Sequence, residues 1–334
     1  MQKSWRAFFN VDPVPALQQT INPALQFFIK RDLLDQNPGA VEQLWTLPEA
    51  LRIFKKQLNS GAWPDPRQTK HIDSPTNYLL LETYRNLGVL IELYGLNNKH
   101  PQIRQAAEYI FSTQEAEGDF RHIYGTQYST NYTSGILELL VKAGYVEDER
   151  IHRSFQWLLS HQQMKGGWTL PLQTHGIKIY ESEEIMRYPE VYSFELEKPF
   201  SHSVSGIVLR AFAAHPHFRS HPDAKKAAEL ITHRFFRADK YSFRKEAACW
   251  TKFSFPFWWM DLISVLDALA LMGFSINHPQ ISRALNYFKT EQQANGSWKF
   301  YILKNKSLPD LPSWISFILC RASKCLYANG SREG

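Results

Sequence analysis

Polar side chains able to transfer protons recur at matching positions in four apolar segments of the chain. The segments end at Gly95, Gly144, His215 and Gly273. Counting back twelve or thirteen residues from these ends gives Glu82, Asn131, Tyr132, His202 and Asp261. Titratable groups gathered in an apolar site have shifted pKa values and act as general acids and bases. We therefore predict that these residues meet as catalytic groups at one rim of a cavity.

Three of these residues also have a local structural interpretation. Glu82 precedes Arg85 by three residues, which is the spacing of an ion pair on a helix. Asp261 lies in the first turn of its predicted helix, where the helix dipole favours a carboxylate. His202 stands between two serines at a helix start, which is typical of a residue beside a cap. The sequence leaves both interpretations open for each residue.

Aromatic residues are the second chemical signal. They make up 14% of the 334 residues, and five of them fall within seven positions: Phe253, Phe255, Phe257, Trp258 and Trp259. Ring faces carry negative potential and stabilise cations, so the last four are predicted to bind substrate. The alternative is that these rings are core between two layers of helices.

A repeated turn sets the architecture that must position these groups. In each copy three residues separate a Gln from a Gly, and one further residue separates that Gly from an aromatic side chain. The copies begin at Gln57, Gln114, Gln162 and Gln292, and the first two spacings are 57 and 48 residues. A degenerate fifth copy of the turn is expected near residues 235–241. Repeats of this length predict stacked pairs of helices.

The helices of each pair differ in polarity. The residues before each Gln form amphipathic outer helices, whereas segments 78–94, 130–143, 201–214, 257–272 and 313–327 are apolar on nearly all sides and predict buried inner helices. About five to six such pairs closing into a ring give an all-α fold, a single α/α toroid domain over 1–334. The repeat covers about 20–327. An insertion at 169–200 is either a lid at the mouth of the ring or a solvated connection.

The best copy of the turn resembles a known motif. Trp157 and Leu158, followed by Gln162, Gly166 and Trp168, are similar to the QW motif of squalene and oxidosqualene cyclases. The chain is therefore identified as similar to the terpenoid cyclase and protein prenyltransferase superfamily, and the resemblance implies its α/α toroid. The QW element of that superfamily is structural, so it implies fold rather than chemistry.

The acidic and zinc motifs of that superfamily are missing. The sequence has neither the DxDD acid of triterpene cyclases nor the DDxxD of class I synthases. Phe255 and Phe257 stand where the Asp and Cys ligands of a prenyltransferase zinc are expected. The resemblance implies a terpene-cyclase-like or prenyl-transferring enzyme that needs no cofactor. Its substrate would be an isoprenoid or similar hydrophobic small molecule, with Lys252 and Arg244 meeting any diphosphate.

Two other functions stay open, because the missing motifs leave it undecided whether the protein is an enzyme. One is a non-catalytic toroid that binds a lipid or a protein partner. The other is a metal-assisted enzyme in which Glu82, His202 and Asp261 hold a divalent ion.

Composition excludes several other classes of protein. The net charge of +6 is spread along the chain without blocks of like charge, so no nucleic-acid partner is expected. The three cysteines form no CxxC pair, which argues against a disulfide framework or a zinc ribbon. The sequence has no signal-peptide pattern and no apolar run of membrane-spanning length. We predict a cytoplasmic protein, with peripheral membrane contact and oligomeric state left open.

Overall fold

The computed structural model describes residues 4–65, 76–123, 125–177, 190–241, 244–303, 308 and 310–332. Its α-helices are, in chain order, α1 Trp5–Phe8, α2 Val14–Gln18, α3 Pro23–Phe28, α4 Pro48–Phe54, α5 Tyr78–Tyr94, α6 Pro101–Phe111, α7 Thr130–Lys142, α8 Glu149–Ser160, α9 Pro171–Thr174, α10 His202–Ala214, α11 Pro222–Thr232, α12 Leu262–Leu271, α13 Pro279–Thr290 and α14 Leu311–Gly330. A π-helical turn spans Ile29–Leu33, and 3-10 turns span Val41–Thr46, Phe218–Ser220 and Ala247–Thr251. In the described ranges the strands are two residues long: β1 (Lys252–Phe253) pairs in parallel with β2 (Tyr301–Ile302). The all-α class is confirmed.

The chain divides into two compact units. Unit 1 comprises Met1–Ala40, Ala228–Ala238 and Glu246–Gly334, and unit 2 comprises Val41–Ala227 and Asp239–Lys245. Within unit 2, α7 packs against α5, α8 and α10, and within unit 1, α12 packs against α14. That the whole chain forms one domain, and that its helix pairs close into a ring around a cavity, stay predictions.

The two kinds of helix differ in burial as the sequence predicts. In α10 every residue except the last is buried, and α12 likewise exposes only its last residue. The outer helix α8 instead buries one face, with Ile151, Phe155 and Leu158 three or four residues apart. The inner helix α5 departs from the prediction, because Arg85 is exposed and Glu82 is partly exposed beside it. The ion pair of Glu82 and Arg85 therefore lies on a face of α5 that is partly exposed to solvent.

The glutamine of each repeated turn ties its own turn to the next outer helix. The Gln57 side-chain amide donates to the carbonyl of Gly61 at 2.8 Å and to that of Gln102, in the first turn of α6, at 2.9 Å. Gln114 does the same with Gly118 at 3.1 Å and with Arg150, at the start of α8, at 2.8 Å. We call this arrangement the Gln bridge.

The other two copies extend the pattern. Gln162 donates to the carbonyl of Asp223, at the start of α11, at 3.1 Å. Gln292 donates to Gly296 at 3.0 Å and to the carbonyl of Val11 at 2.9 Å. In unit 1 the N-terminal segment therefore takes the position that the next outer helix takes in the other copies.

The tryptophan of the turn binds back onto the helix that precedes it. The indole N–H groups of Trp168 and Trp298 each donate to a carbonyl ten residues earlier, at 2.7 Å in both cases. Trp250 makes a comparable bond to the carbonyl of Arg237, thirteen residues earlier, at 3.0 Å, and Phe235 packs on its indole. A fifth copy of the turn near residues 235–241 stays a prediction.

The insertion at 169–200 is described only in part. It contains α9, and its later portion binds the segment before α7: the Gln127 side chain donates to the carbonyl of Glu190 at 2.8 Å and accepts from the backbone N–H of Tyr192 at 3.0 Å. Residues 178–189 lie outside the described residues, so a lid stays a prediction. None of the described helices combines the length and apolar character that crossing a bilayer requires.

The glycine of the repeated turn provides a test of the Gln bridge. Gly118 has φ +108°, and a Cβ there would lie 2.8 Å from the Arg153 carbonyl oxygen. Gly176 also has positive φ, at +75°, but a Cβ there would meet no atom of the described residues within 4 Å. We expect Gly118→Ala to lower the free energy of unfolding by about 3 kcal/mol and Gly176→Ala by about 1 kcal/mol. Urea denaturation measures both, and equal losses would show that close approach of the next helix is not what requires the glycine.

Candidate active site at the starts of the inner helices

Hydrogen bonds from the turns define which positions of the inner helices are equivalent. The backbone N–H groups of Trp63, Phe120 and Trp168 donate to the hydroxyls of Thr83, Thr133 and Ser205 at 3.0, 3.0 and 2.8 Å. These hydroxyls lie twelve, eleven and ten residues before Gly95, Gly144 and His215, the helix ends from which the sequence alignment was counted. That alignment is therefore wrong by one residue in α7 and by two in α10, because the inner helices have different lengths beyond the shared hydroxyl.

The corrected register separates the predicted residues in unit 2. Glu82 and Tyr132 each lie one residue before the shared hydroxyl of their helix. Asn131 lies two residues before it, and His202 lies three residues before it. They therefore occupy three successive levels rather than one. Asn131, Tyr132 and His202 lie in the first turns of α7 and α10, whereas Glu82 is the fifth residue of α5.

His202 is the predicted residue with the most developed surroundings. Its Nε2 lies 3.6 Å from Oδ2 of Asp239, and both side chains are only 2% exposed. The same carboxylate oxygen accepts from the Ser201 hydroxyl at 2.8 Å and from the Ser203 backbone N–H at 3.0 Å. A carboxylate held by two donors at a helix N-terminus, with an imidazole in contact, is a buried acid–base pair.

Asp239 is the residue that sequence reasoning missed. It lies within residues 235–241, where the fifth copy of the turn is expected, and its other oxygen accepts from the Lys240 N–H at 2.7 Å. It also caps α10, because it binds the N–H of the second residue of that helix. An acid within that segment is the only sequence signal for it.

The remaining predicted residues of unit 2 have local partners. Glu82 forms an ion pair with Arg85 at 2.6 Å, as the structural interpretation predicts. The Asn131 side-chain oxygen accepts from the Ser129 hydroxyl at 3.0 Å. The Tyr132 ring meets the Tyr84 ring edge to face, with centroids 5.8 Å apart. Asn131 and Tyr132 are partly exposed, so they stay accessible to a ligand.

In unit 1, Asp261 forms a reciprocal cap at the start of α12. Its Oδ1 accepts from the Ser264 N–H at 2.8 Å, and the Ser264 hydroxyl accepts from the Asp261 N–H at 2.9 Å. This capping box satisfies two backbone donors that the helix leaves without partners. The local structural interpretation of Asp261 is therefore present, and a catalytic role for it stays a prediction.

The aromatic cluster also lies in unit 1 and is mainly core. Phe255 and Phe257 are buried, with ring centroids 5.3 Å apart, and Phe255 stacks on Trp314 at 5.5 Å. Trp258 and Trp259 are partly exposed, which leaves them as the cluster members open to a ligand.

The two basic residues predicted to meet a diphosphate lie in different units. Lys252 in unit 1 faces the Glu246 carboxylate at 3.3 Å. Arg244 in unit 2 occupies a loop with φ +50°. An anion binding at Lys252 would therefore compete with a carboxylate.

Two buried and two partly exposed charged side chains meet among α5, α7 and α10, which the apolar patterning did not predict. Arg210 Nε lies 2.9 Å from Glu138 Oε2, and Lys142 Nζ lies 2.7 Å from Glu138 Oε1 and 2.5 Å from Glu92 Oε1. Burial alone would raise the pKa of Glu138, but Arg210 and Lys142 outweigh it and hold that pKa below its usual value. Burial also raises the pKa of Tyr84 beside them. Two acids and two bases balance, so this network fixes three helices without needing a ligand.

In the part of the chain that the structure describes, no three His, Cys, Asp or Glu side chains are grouped so as to hold a metal ion. The geometry of these residues thus gives no support to a metal site formed by Glu82, His202 and Asp261.

Comparison with known proteins agrees with the resemblance seen in the repeat. The family model of the squalene-hopene cyclase C-terminal domain matches residues 64–184, which include the turns that begin at Gln114 and Gln162. No curated protein matches the chain. The match confirms that the chain is similar to the terpenoid cyclase superfamily over that part of its length.

Similar solved structures include a polysaccharide lyase, 13% identical, covering 96% of this chain and 91% of that one, with a TM-score of 0.49. The type II terpene cyclase MstE from Scytonema is 12% identical and covers 85% and 98%, with a TM-score of 0.34. A variant of MstE in complex with its substrate, geranylgeranyl dihydroxybenzoate, is 14% identical and covers 95% and 98%, with a TM-score of 0.37. At these low values the conclusion rests on the family match.

The capping box gives a test of the structural role of Asp261. Because Asp261 and Ser264 cap each other, Asp261→Ala and Ser264→Ala should each lower the free energy of unfolding by about 1 kcal/mol. The double variant should lose at least about 0.5 kcal/mol less than the two single losses together. Chemical denaturation of the three variants measures these losses. Strictly additive losses would show that Asp261 and Ser264 do not cap each other.

The buried ion network gives a second test. Arg210→Met leaves the Glu138 carboxylate buried with one partner, and we expect a loss of about 3 kcal/mol in the free energy of unfolding. The control is Arg85→Met, which breaks the partly exposed pair with Glu82 and should cost less than about 1 kcal/mol. Replacing Glu138 by Leu together with Arg210→Met should recover part of the loss. If Arg210→Met and Arg85→Met lowered the free energy of unfolding by the same amount, the network would stabilise the fold no more than an exposed ion pair does.

Proposed function

We propose that the protein is a terpene-cyclase-like enzyme that acts on an isoprenoid or similar hydrophobic small molecule by proton transfer. The observation that carries the proposal is the buried pair of Asp239 and His202 at the start of an inner helix. The match to the squalene-hopene cyclase domain supports the substrate class, because squalene is an isoprenoid.

Asp239 has the surroundings that an acid for alkene protonation needs. Its conjugate base accepts hydrogen bonds from the Ser201 hydroxyl and the Ser203 N–H and lies at the positive end of α10. Both side chains of the pair are only 2% exposed, and burial of this kind would protect a carbocation from capture by water.

The proposed reaction is balanced by the two members of the pair. The Asp239 carboxyl gives its proton to one carbon of an alkene, whose π electrons form the new C–H bond and leave a cation on the neighbouring carbon. A second alkene of the same substrate attacks that cation and closes a ring. The His202 imidazole then takes a proton from a carbon beside the final cation, which restores a double bond. Return of this proton from His202 to Asp239, 3.6 Å away, restores the acid. Trp258 and Trp259 stay predicted substrate-binding residues, because aromatic faces stabilise cations.

A second candidate is a protein that binds a lipid or a protein partner without reaction. It is favoured by the absence of DxDD and DDxxD motifs and by the structural partners of Glu82, Asp261 and Lys252. On this view the Asp239 contacts serve only to cap α10.

The decisive experiment incubates the purified full chain with isoprenoids of C10 to C30 and with their diphosphates, followed by mass spectrometry of the extract. Asp239→Asn and His202→Gln should reduce product formation at least about 100-fold, because each removes a proton-transfer group. The matched control is His161→Gln, at the end of the outer helix α8, which should keep wild-type product formation.

Folding is checked for each variant by circular dichroism and thermal unfolding. Product formation that survives in folded Asp239→Asn and His202→Gln would exclude the proposed acid–base pair. Tight retention of an unchanged isoprenoid by the wild type would support the second candidate, a protein that binds without reaction, instead of the enzyme.

A further inference from the structure

A second buried histidine lies at the opposite end of the helix that begins with His202. His215 follows the last residue of α10 and is fully buried. Its Nδ1 accepts from the backbone N–H of His217 at 3.2 Å and from that of Phe218 at 3.4 Å. An imidazole nitrogen that accepts hydrogen bonds carries no proton, so the ring proton is on Nε2.

The other nitrogen ties this end of α10 to a different helix pair. Nε2 of His215 lies 3.2 Å from the carbonyl of Val146, in the loop between α7 and α8, and donates to it. The ring also packs edge to face against Phe155 of α8 and against Phe218. One neutral imidazole therefore joins the α7–α8 loop, α8 and the turn that leads to α11.

The charged groups around His215 disfavour a second proton on it. Burial lowers the pKa of His215, and the imidazoles of His152 and His217, with ring centroids 5.7 and 5.8 Å away, lower it further. Two contributions oppose them: the bond to the Val146 carbonyl and the carboxylate of Glu147, which is 79% exposed. Nε2 of His152 is itself buried and has no hydrogen-bond partner among the described residues. Added protons in this cluster would therefore repel one another.

We propose that His215 is an acid-sensitive latch, which holds the end of α10 to the α7–α8 loop while neutral and releases it when Nδ1 is protonated. Protonation removes the acceptor of two backbone N–H groups at once and places a cation in an apolar site. The folded state then loses the contacts that fix the chain between α10 and α11. This latch is independent of any reaction at His202.

The direction of the pH effect follows from the lowered pKa of His215. Between that pKa and the ordinary value of about 6.5, the unfolded chain binds a proton that the folded chain does not. The contribution of the latch to stability is thus complete above about pH 6.5 and is lost as the pH falls below that value. The unfolding equilibrium constant should rise by up to about tenfold per pH unit in this window.

The test compares the wild type with His215→Asn in urea denaturation from pH 5 to pH 8. The asparagine oxygen can accept the same two N–H groups but cannot be protonated, so the variant should be less stable but should lose the steep dependence below pH 6.5. The matched control is His217→Asn, which removes an exposed histidine of the same cluster and should keep most of the wild-type dependence, because burial is the largest cause of the lowered pKa of His215. A His215→Asn protein with the wild-type pH dependence, or a flat response in His217→Asn, would overturn the latch.

Hydrogen exchange of the wild type alone decides the question if His215→Asn does not fold. The amides of His217 and Phe218 should lose protection, corrected for intrinsic rates, by up to about tenfold per pH unit in the same window. The reference is the amide of Gly144, whose acceptor is the Val141 carbonyl and cannot titrate. Equal pH dependence of the three amides would rule the latch out.

Discussion

The Gln bridge is the interaction on which the rest of the structure depends. One side-chain amide satisfies two carbonyls, one in its own turn and one in the first turn of the following outer helix, as with Gly118 and Arg150. The glycine must be a glycine because the next helix lies against it. A single short turn therefore ends one helix and fixes the start of another, and its repetition makes each helix pair position the next.

The same turn fixes the position of each inner helix along its own axis. Trp63, Phe120 and Trp168 each donate a backbone N–H to a hydroxyl of the inner helix that follows, such as Thr133 or Ser205. These bonds hold the first turns of α7 and α10 in a common register, and it is there that His202, Asn131 and Tyr132 lie. Further along the same helices, Glu138 and Arg210 form a second constraint inside an otherwise apolar layer.

The helix pairs were predictable from the sequence, whereas much of the candidate site was not. Apolar residues at three- and four-residue spacing identify α8 without any structure, and the repeated glutamine identifies the turns. The level of a side chain within an inner helix depends instead on where that helix stops. The stops differ between α7 and α10, so an alignment from the ends displaced Asn131 by one residue and His202 by two relative to Glu82. Asp239 escaped notice because its partners, Ser201 and His202, are almost forty residues away in the chain.

The bond between Gln292 and Val11 bears on how the protein is made. Unit 1 combines the first forty residues with the last segments of the chain, whereas unit 2 consists mainly of the continuous segment between them. On the ribosome the N-terminal helices emerge first, but their partners, including the Gln292 side chain, emerge last. Unit 2 can thus acquire its helix pairs during translation, while the residues around Val11 must wait with apolar side chains such as Phe9 unburied. Until those partners are made, this N-terminal stretch exposes apolar surface that favours aggregation.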